Sequence, residues 1–310
     1  MRKLFRILRS KLLSPIFSEL NQIKFLIGQN SILTSRSMQN SFENLWDAEV
    51  KVYSQWGEDG ILDFLCEKLY ISKPKILEIG AGNFNECNSY FLAKNRNASV
   101  VAVDIAKDLL TSINSSPLKW TNHLFGIEKL VSPSNINELI DEANNRMDGL
   151  DIVSFDIDGN DYWVVAAADL KSTKIVIVEY NPIFGSEMAV TVPRDDNFDR
   201  AMKHSSGLYF GASLKAFIHV LANKGFVFIG SNRVGNNAFF IPNKSISKIS
   251  LSIPKDLKIY TDWRIRESRD SFGQLSYLSL SERVEIINDL PLIEIMSGNK
   301  LYVKNLFNFN

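Results

Sequence analysis

Between residues 75 and 161 the chain repeats one arrangement, a short aliphatic run that ends in an acid. Ile76-Leu77 leads into Glu78-Ile79-Gly80-Ala81-Gly82, and Val100-Val101-Ala102-Val103 ends in Asp104. Ile152-Val153-Ser154-Phe155 leads into Asp156-Ile157-Asp158-Gly159-Asn160-Asp161-Tyr162-Trp163. Near-continuous apolar runs of this length, alternating with helical periodicity, predict parallel strands buried on both faces. Ligands of such open sheets bind beyond the carboxyl ends of the strands, where the strand order reverses. Three acidic strand ends in series suit a nucleoside-type ligand with hydroxyls and amines to be held.

The pattern predicts strands over 75–79, 99–104, 123–128, 152–156 and 174–179, with helices between them. This is an α/β fold, a doubly wound and mostly parallel Rossmann-like sheet. The segment 181–208 is polar, contains Pro182, Pro193 and Arg194-Asp195-Asp196, and is too long for a plain connection, so it reads as a lid or binding loop or as disorder. A helix over 213–223 and strands over 226–229 and 237–241 then close the sheet as an antiparallel pair. The expected organisation is a basic amphipathic N-terminal helix over 1–28, a linker over 29–49, the sheet domain over 50–245 and a C-terminal extension over 246–310.

Composition narrows the partners. Lysine plus arginine and aspartate plus glutamate both number 35, so the chain lacks the basic excess of a nucleic-acid binder. Its only cysteines, Cys66 and Cys87, form no CxxC pattern, which argues against a disulfide framework or a zinc site and fits a reducing, cytoplasmic compartment. No apolar run approaches the ~20 residues of a membrane-spanning helix. The first 28 residues place Arg2, Lys3, Arg6, Arg9 and Lys11 among aliphatic residues at a helical period. Such a helix either lies on an anionic membrane surface, here the inner face, or packs on the domain or on its copy in a homo-oligomer.

Gly80 and Gly82 allow a sharp turn and a close backbone approach to a ligand. The turn is not GxGxxG, because Asn85 stands where the third glycine would be, and this disfavours a dinucleotide. Asp104 is placed to accept from both hydroxyls of a ribose, or else to cap a helix. Asp156, Asp158 and Asp161 crowd charge into six residues, which requires a cation, a positively charged ligand or protonation to offset it. Oxygen-rich clusters suit Mg²⁺ or Ca²⁺, with Glu179 and Asn181 near enough in the fold to complete a site. An Asx-turn with solvated acids is the structural alternative. His204, in the post-strand loop, is a candidate base or a solvated surface residue. Trp56, Trp163 and Tyr209 are candidates for lining a sugar or adenine pocket.

Three segments in one order, Tyr53-Ser54-Gln55-Trp56-Gly57-Glu58-Asp59, Glu78-x-Gly80-x-Gly82 and Asp156-Ile157-Asp158-Gly159-Asn160-Asp161, resemble the FkbM-like methyltransferases over about residues 50–245. The chain is most similar to a branch associated with surface-polysaccharide genes. It departs from the usual pattern in having Asp158 and Asn160-Asp161 where Glu-Gly-x-Glu would stand. The resemblance implies an S-adenosylmethionine-dependent methyltransferase acting on a sugar hydroxyl of a polysaccharide or glycolipid, with a divalent cation such as Mg²⁺ as an optional second cofactor. It implies that Gln55, Glu78, Gly80, Gly82, Asp104 and Asp156 hold the cofactor. Asp158, Asp161 and His204 are then candidates for base or metal work, and Asp158 and Glu179 for metal ligation. The rival expectations are a non-catalytic scaffold of a membrane-associated glycan-assembly complex and another Rossmann-type enzyme acting on a nucleotide-sugar.

Overall fold

The structure is a computed structural model that describes residues 2–120, 123–262, 264–265 and 268–307; within the first helix, side chains are described at residue 13 and from residue 15 on. Five strands form its parallel heart: β1 (Lys75–Ile79), β2 (Ser99–Asp104), β3 (Leu124–Glu128), β4 (Ile152–Phe155) and β5 (Ile175–Glu179). They are followed by a short β6 (Val190–Thr191), β7 (Phe226–Ser231), β8 (Asn237–Pro242), β9 (Pro291–Glu294) and β10 (Lys300–Tyr302). The main sheet runs β3-β2-β1-β4-β5-β8-β7, with β8 antiparallel to both β5 and β7. The doubly wound sheet with a closing antiparallel pair is therefore present. A second sheet, β10-β9-β6, was not anticipated.

Helices cover both faces, and the period-2 alternation of the strands decides which residue meets which layer. Ile76, Val100, Ala102 and Ile152 point into one core with Ile61, Leu62 and Leu65 of α2 (Glu58–Lys68) and with Phe91 and Leu92 of α3 (Tyr90–Arg96). Leu109 and Ile113 of α4 (Leu109–Ser115) join that layer. Leu77, Val101, Val103 and Val153 face the other way, against α5 (Ile136–Met147), α6 (Asp161–Ala167) and α8 (Leu214–Asn223). Between β6 and α8 lies α7 (Arg200–Lys203).

The C-terminal extension packs against the domain. Val284 of α9 (Leu280–Ile286), Leu292 and Val303 share a third core with Ile183, Val190, Leu208 and Phe210 of the long post-β5 segment. That segment is therefore a folded insertion, with its apolar residues buried against the C-terminus. At the other end, α1 runs unbroken from Arg2 to Met38, so residues 29–38, expected as linker, are helical. Ile32 is buried and Arg36 makes a bidentate pair with Asp63, and these contacts hold that stretch in register on α2. The side chains of Arg2, Lys3, Arg6, Arg9 and Lys11 lie outside the described residues.

Candidate functional site

The strand order reverses between β1 and β4, and the backbones leaving these two strands come close. A Cβ on Gly80, whose φ is +84°, would overlap the carbonyl oxygen of Asp156, so only glycine fits. Gly82, at φ +54°, has nothing within 4 Å of an added Cβ and leaves its side open. Beyond these ends lies a cavity of about 810 Å³. Gln55, Gly80, Gly82, Asp104 and Asp156 line it, and so do Asp158 and Glu179.

Asp104 ends β2 facing the glycine turn. One carboxylate oxygen accepts from Gly82 N at 2.7 Å and the other from Ala106 N at 2.8 Å. Each oxygen carries two lone pairs, so both retain capacity for a hydroxyl from the cavity. Glu78 is placed differently from expectation. It lies outside the cavity lining, buried, and its carboxylate accepts from Asn88 N at 2.6 Å, from Ser89 N at 3.0 Å and from the Ser89 hydroxyl. It clamps the loop that follows the glycines.

The segment before α2 is built in the same manner. Asp59 Oδ2 accepts from the backbone N–H groups of Val52, Tyr53 and Ser54 at 2.6–2.8 Å, and Glu58 accepts from Trp56 N and Gly57 N at 2.9 Å. Two acids in the first turn of a helix suit its dipole. They coil residues 52–57 so that Gln55 and Trp56 face the cavity.

At the end of β4 and β5, oxygens of Asp156, Asp158 and Glu179 lie within 4.8 Å of one another. Asp156 and Glu179 are both buried deep in this cluster, where ionisation of both is costly. Burial, reinforced by neighbouring carboxylates, pushes Asp156 well above the usual carboxylate range and Glu179 up to about 8. Glu179 is 9 % exposed, and its Oε2 finds no partner among the described residues. An orphaned buried oxygen beside two more carboxylates fits the all-oxygen donor set of a hard divalent cation or a cationic ligand group.

Asp158 sits at φ +57°, a left-handed conformation that aspartate tolerates better than most residues. Its carboxylate pairs with Arg200, whose Nε donates to the Gly207 carbonyl at 2.5 Å and whose guanidinium lies 3.7 Å from the Phe210 ring centre. Sequence reading overlooked Arg200, because nothing in the local pattern of α7 ties it to a strand end 42 residues earlier.

Asp161 does not face the cavity. Its two oxygens accept from Ile157 N at 2.8 Å and Gly159 N at 2.9 Å, and it is buried, so it clamps the preceding turn and is not the solvated Asx-turn acid of the alternative. Burial raises it to about 6 against those two hydrogen bonds. Asn160 is bonded both ways to the backbone of Asp195, and Trp163 Nε1 donates to Val192 O at 3.0 Å. Gly159 leaves the space that the Phe198 ring occupies. The Asp-Gly-Asn-Asp-Tyr-Trp run therefore ties down the post-β5 insertion, which roofs the cavity with Phe198, Asp199, Arg200 and Ser206.

Asn181 also serves the insertion. It donates to the Leu208 and Phe210 carbonyls at 2.9 and 3.1 Å and does not join the acid cluster. Tyr209 is buried in the third core, with its hydroxyl on the Pro291 carbonyl. Of the three aromatics proposed for the pocket, only Trp56 lines it. His204 stands behind the wall, its Nδ1 2.7 Å from the Ser206 hydroxyl, and burial lowers its pKa. Ile265, Ser268 and Arg269 complete the lining from the C-terminal region, in which the sequence shows little readable chemistry.

No family model matches the chain, and no curated protein does. Among solved structures it is similar to the N-terminal domain of EvdMO1 with SAH bound, at 10% identity over 69% of this chain and 95% of that one, with a TM-score of 0.37. It is also similar to an S-adenosylmethionine-dependent methyltransferase from Clostridium acetobutylicum, at 12% identity over 63% and 93%, TM-score 0.38. A third is the 1,6-didemethyltoxoflavin-N1-methyltransferase of Burkholderia thailandensis, at 11% identity over 69% and 88%, TM-score 0.36. Overlaps this loose decide neither cofactor nor substrate.

Proposed function

We propose that the chain is an S-adenosylmethionine-dependent methyltransferase that methylates a sugar hydroxyl, the acceptor being a polysaccharide or glycolipid unit. The observation that carries this reading is the convergence of Gly80, Gly82, Asp104, Gln55 and Asp156 on one cavity at the reversal of strand order. The open side of Gly82 gives a cofactor's amino-acid portion room, and Asp104 has lone pairs left for ribose hydroxyls. Trp56 offers a face for stacking.

Bound S-adenosylmethionine supplies a methyl group on a sulfonium sulfur, which becomes a neutral thioether as the acceptor oxygen takes the methyl carbon. The protein's tasks are alignment and removal of the acceptor's proton. Asp158, which faces the cavity and is steadied by Arg200, is the group assigned to receive that proton. Ser205, Ser206, Asp196 and Asp199 on the roof give a polyhydroxyl acceptor both donors and acceptors. A divalent cation such as Mg²⁺, held by Asp156, Asp158 and Glu179, would anchor acceptor oxygens.

Calorimetric titration with S-adenosylmethionine and S-adenosylhomocysteine tests the reading. Binding is expected, weakened on the order of a hundredfold in Asp104→Ala, the loss of two hydrogen bonds to a charged group. Absence of binding with and without Mg²⁺ would leave a scaffold that keeps the fold without the chemistry. Asp158→Asn with unchanged turnover would remove Asp158 from the mechanism.

A further inference from the structure

The contacts that seat α1 on the domain all lie on one side of the helix. The Tyr53 hydroxyl donates to the Asn21 carbonyl, Phe25 packs on Phe91, and an added Cβ on Gly28 would meet Val52 at 2.6 Å. Gln29 donates to Asn95 at 3.0 Å, Ile32 is buried, and Arg36 binds Asp63. At about 100° per residue these positions define one face. Ile16, Leu20, Ile23 and Ile27 fall diametrically opposite, and they are 51–63 % exposed. Phe17 and Leu26 flank that strip, at 63 % and 62 % exposed. Six large apolar side chains on a solvent-facing helix surface form a patch that calls for a partner.

Charge selects the partner. Residues 1–42 contain seven lysines and arginines, five of them before residue 12, and a single acid, Glu19. A parallel pairing with α1 of a second copy would set the five N-terminal cations against one another, and an antiparallel pairing about the apolar strip would leave them with no acid opposite. A bilayer rich in anionic headgroups offers the apolar depth and the opposite charge together. Among the described residues no helix is long and apolar enough to cross a membrane, so the fitting geometry is a helix lying in the interface.

We infer that α1 is a membrane-surface anchor, which docks the Ile16, Leu20, Ile23 and Ile27 strip into an anionic bilayer. This goes beyond methyl transfer and depends on no cofactor. Because α1 packs on Tyr53, two residues before the cavity-lining Gln55, the anchor is tied directly to a wall of the candidate site.

The test is flotation of the full chain with vesicles of phosphatidylcholine alone or mixed equally with phosphatidylglycerol. Binding is expected to the mixed vesicles only. It should weaken on the order of a hundredfold in Arg6→Glu/Arg9→Glu/Lys11→Glu, where cations near the surface are removed. It should be lost in Ile16→Gln/Leu20→Gln/Ile23→Gln/Ile27→Gln, whose changes lie on the side away from the domain, and the circular dichroism melt of both variants should match the parent. Failure to bind mixed vesicles, or equal binding to neutral ones, overturns the inference. So does a concentration-dependent dimer in light scattering that the glutamine variant abolishes, since the strip would then be covered by a second copy.

Discussion

Arg200 pairs with Asp158 across the mouth of an acidic cluster, so one of three carboxylates has a protein cation as its counter-charge. Among the described residues Glu179 and Asp156 form no ion pair, and burial with neighbouring carboxylates raises both. The guanidinium is fixed from three sides, by Asp158, the Gly207 carbonyl and the Phe210 ring. Arg200→Gln is therefore expected to lower stability by about 1–3 kcal/mol, as for other hydrogen bonds to charged groups. It should also raise affinity for Mg²⁺, because the cluster then lacks its resident cation. Urea unfolding and metal titration of the same variant check both; unchanged Mg²⁺ affinity would separate Arg200 from the cluster's charge balance.

The raised carboxyls of Asp156 and Glu179 make stability pH-dependent in a fixed direction. The Glu179 carboxyl is lifted from 4.5 to about 8 by burial, so the folded state holds a proton that the unfolded chain releases. Stability is then greatest below the unfolded value and falls as pH rises toward 8, because the slope follows the difference in bound protons. Glu179→Gln, which cannot ionise, should flatten the fall between pH 5 and ~8. Melting temperatures of parent and variant across that interval provide the measurement, and parallel curves would show that the pair is not protonated.

The sheet was legible because its signal is local. Strand runs such as Val100–Val103 are nearly all aliphatic, and their acidic ends fall where topology places a ligand. The same locality explains the misplacements. Glu78 and Asp161 are acids of the strand-end segments, like Asp104 and Asp158, and only the three-dimensional path shows that they are spent on backbone amides and do not line the cavity. Arg200, Ser268 and Arg269 reach the site across long sequence separations, and no period or motif announces them. The roof was seen only as a long polar segment, because its apolar residues are buried against the distant C-terminus.

Asn160 and Trp163 hold the roof at two points, on Asp195 and Val192. Asn160→Ala removes both hydrogen bonds to Asp195 and should cost roughly 1–3 kcal/mol, largely as the penalty for leaving their partners unmade. The consequence should be local. Limited proteolysis should cut first between residues 193 and 207, and KM for the acceptor should rise while cofactor affinity stays unchanged. Equal losses in both affinities would mean that the roof shapes the whole cavity rather than its acceptor side.

The two glycines of the first turn separate folding from ligand binding. At Gly80 a Cβ would occupy the position of the Asp156 carbonyl oxygen, in a backbone that has no room to yield between two paired strands. Gly80→Ala should therefore fail to accumulate as folded protein, or should melt far below the parent. At Gly82 an added Cβ meets nothing within 4 Å, and the only cost to the fold is the positive φ, about 1 kcal/mol. Gly82→Ala should fold with a slightly lowered melting temperature. Its methyl group projects where the backbone would approach the cofactor, so S-adenosylhomocysteine affinity should fall by at least tenfold, well beyond what the stability change accounts for. If Gly82→Ala binds like the parent, the cofactor does not pass over this turn, and the site must be redrawn around Asp104 and Gln55 alone.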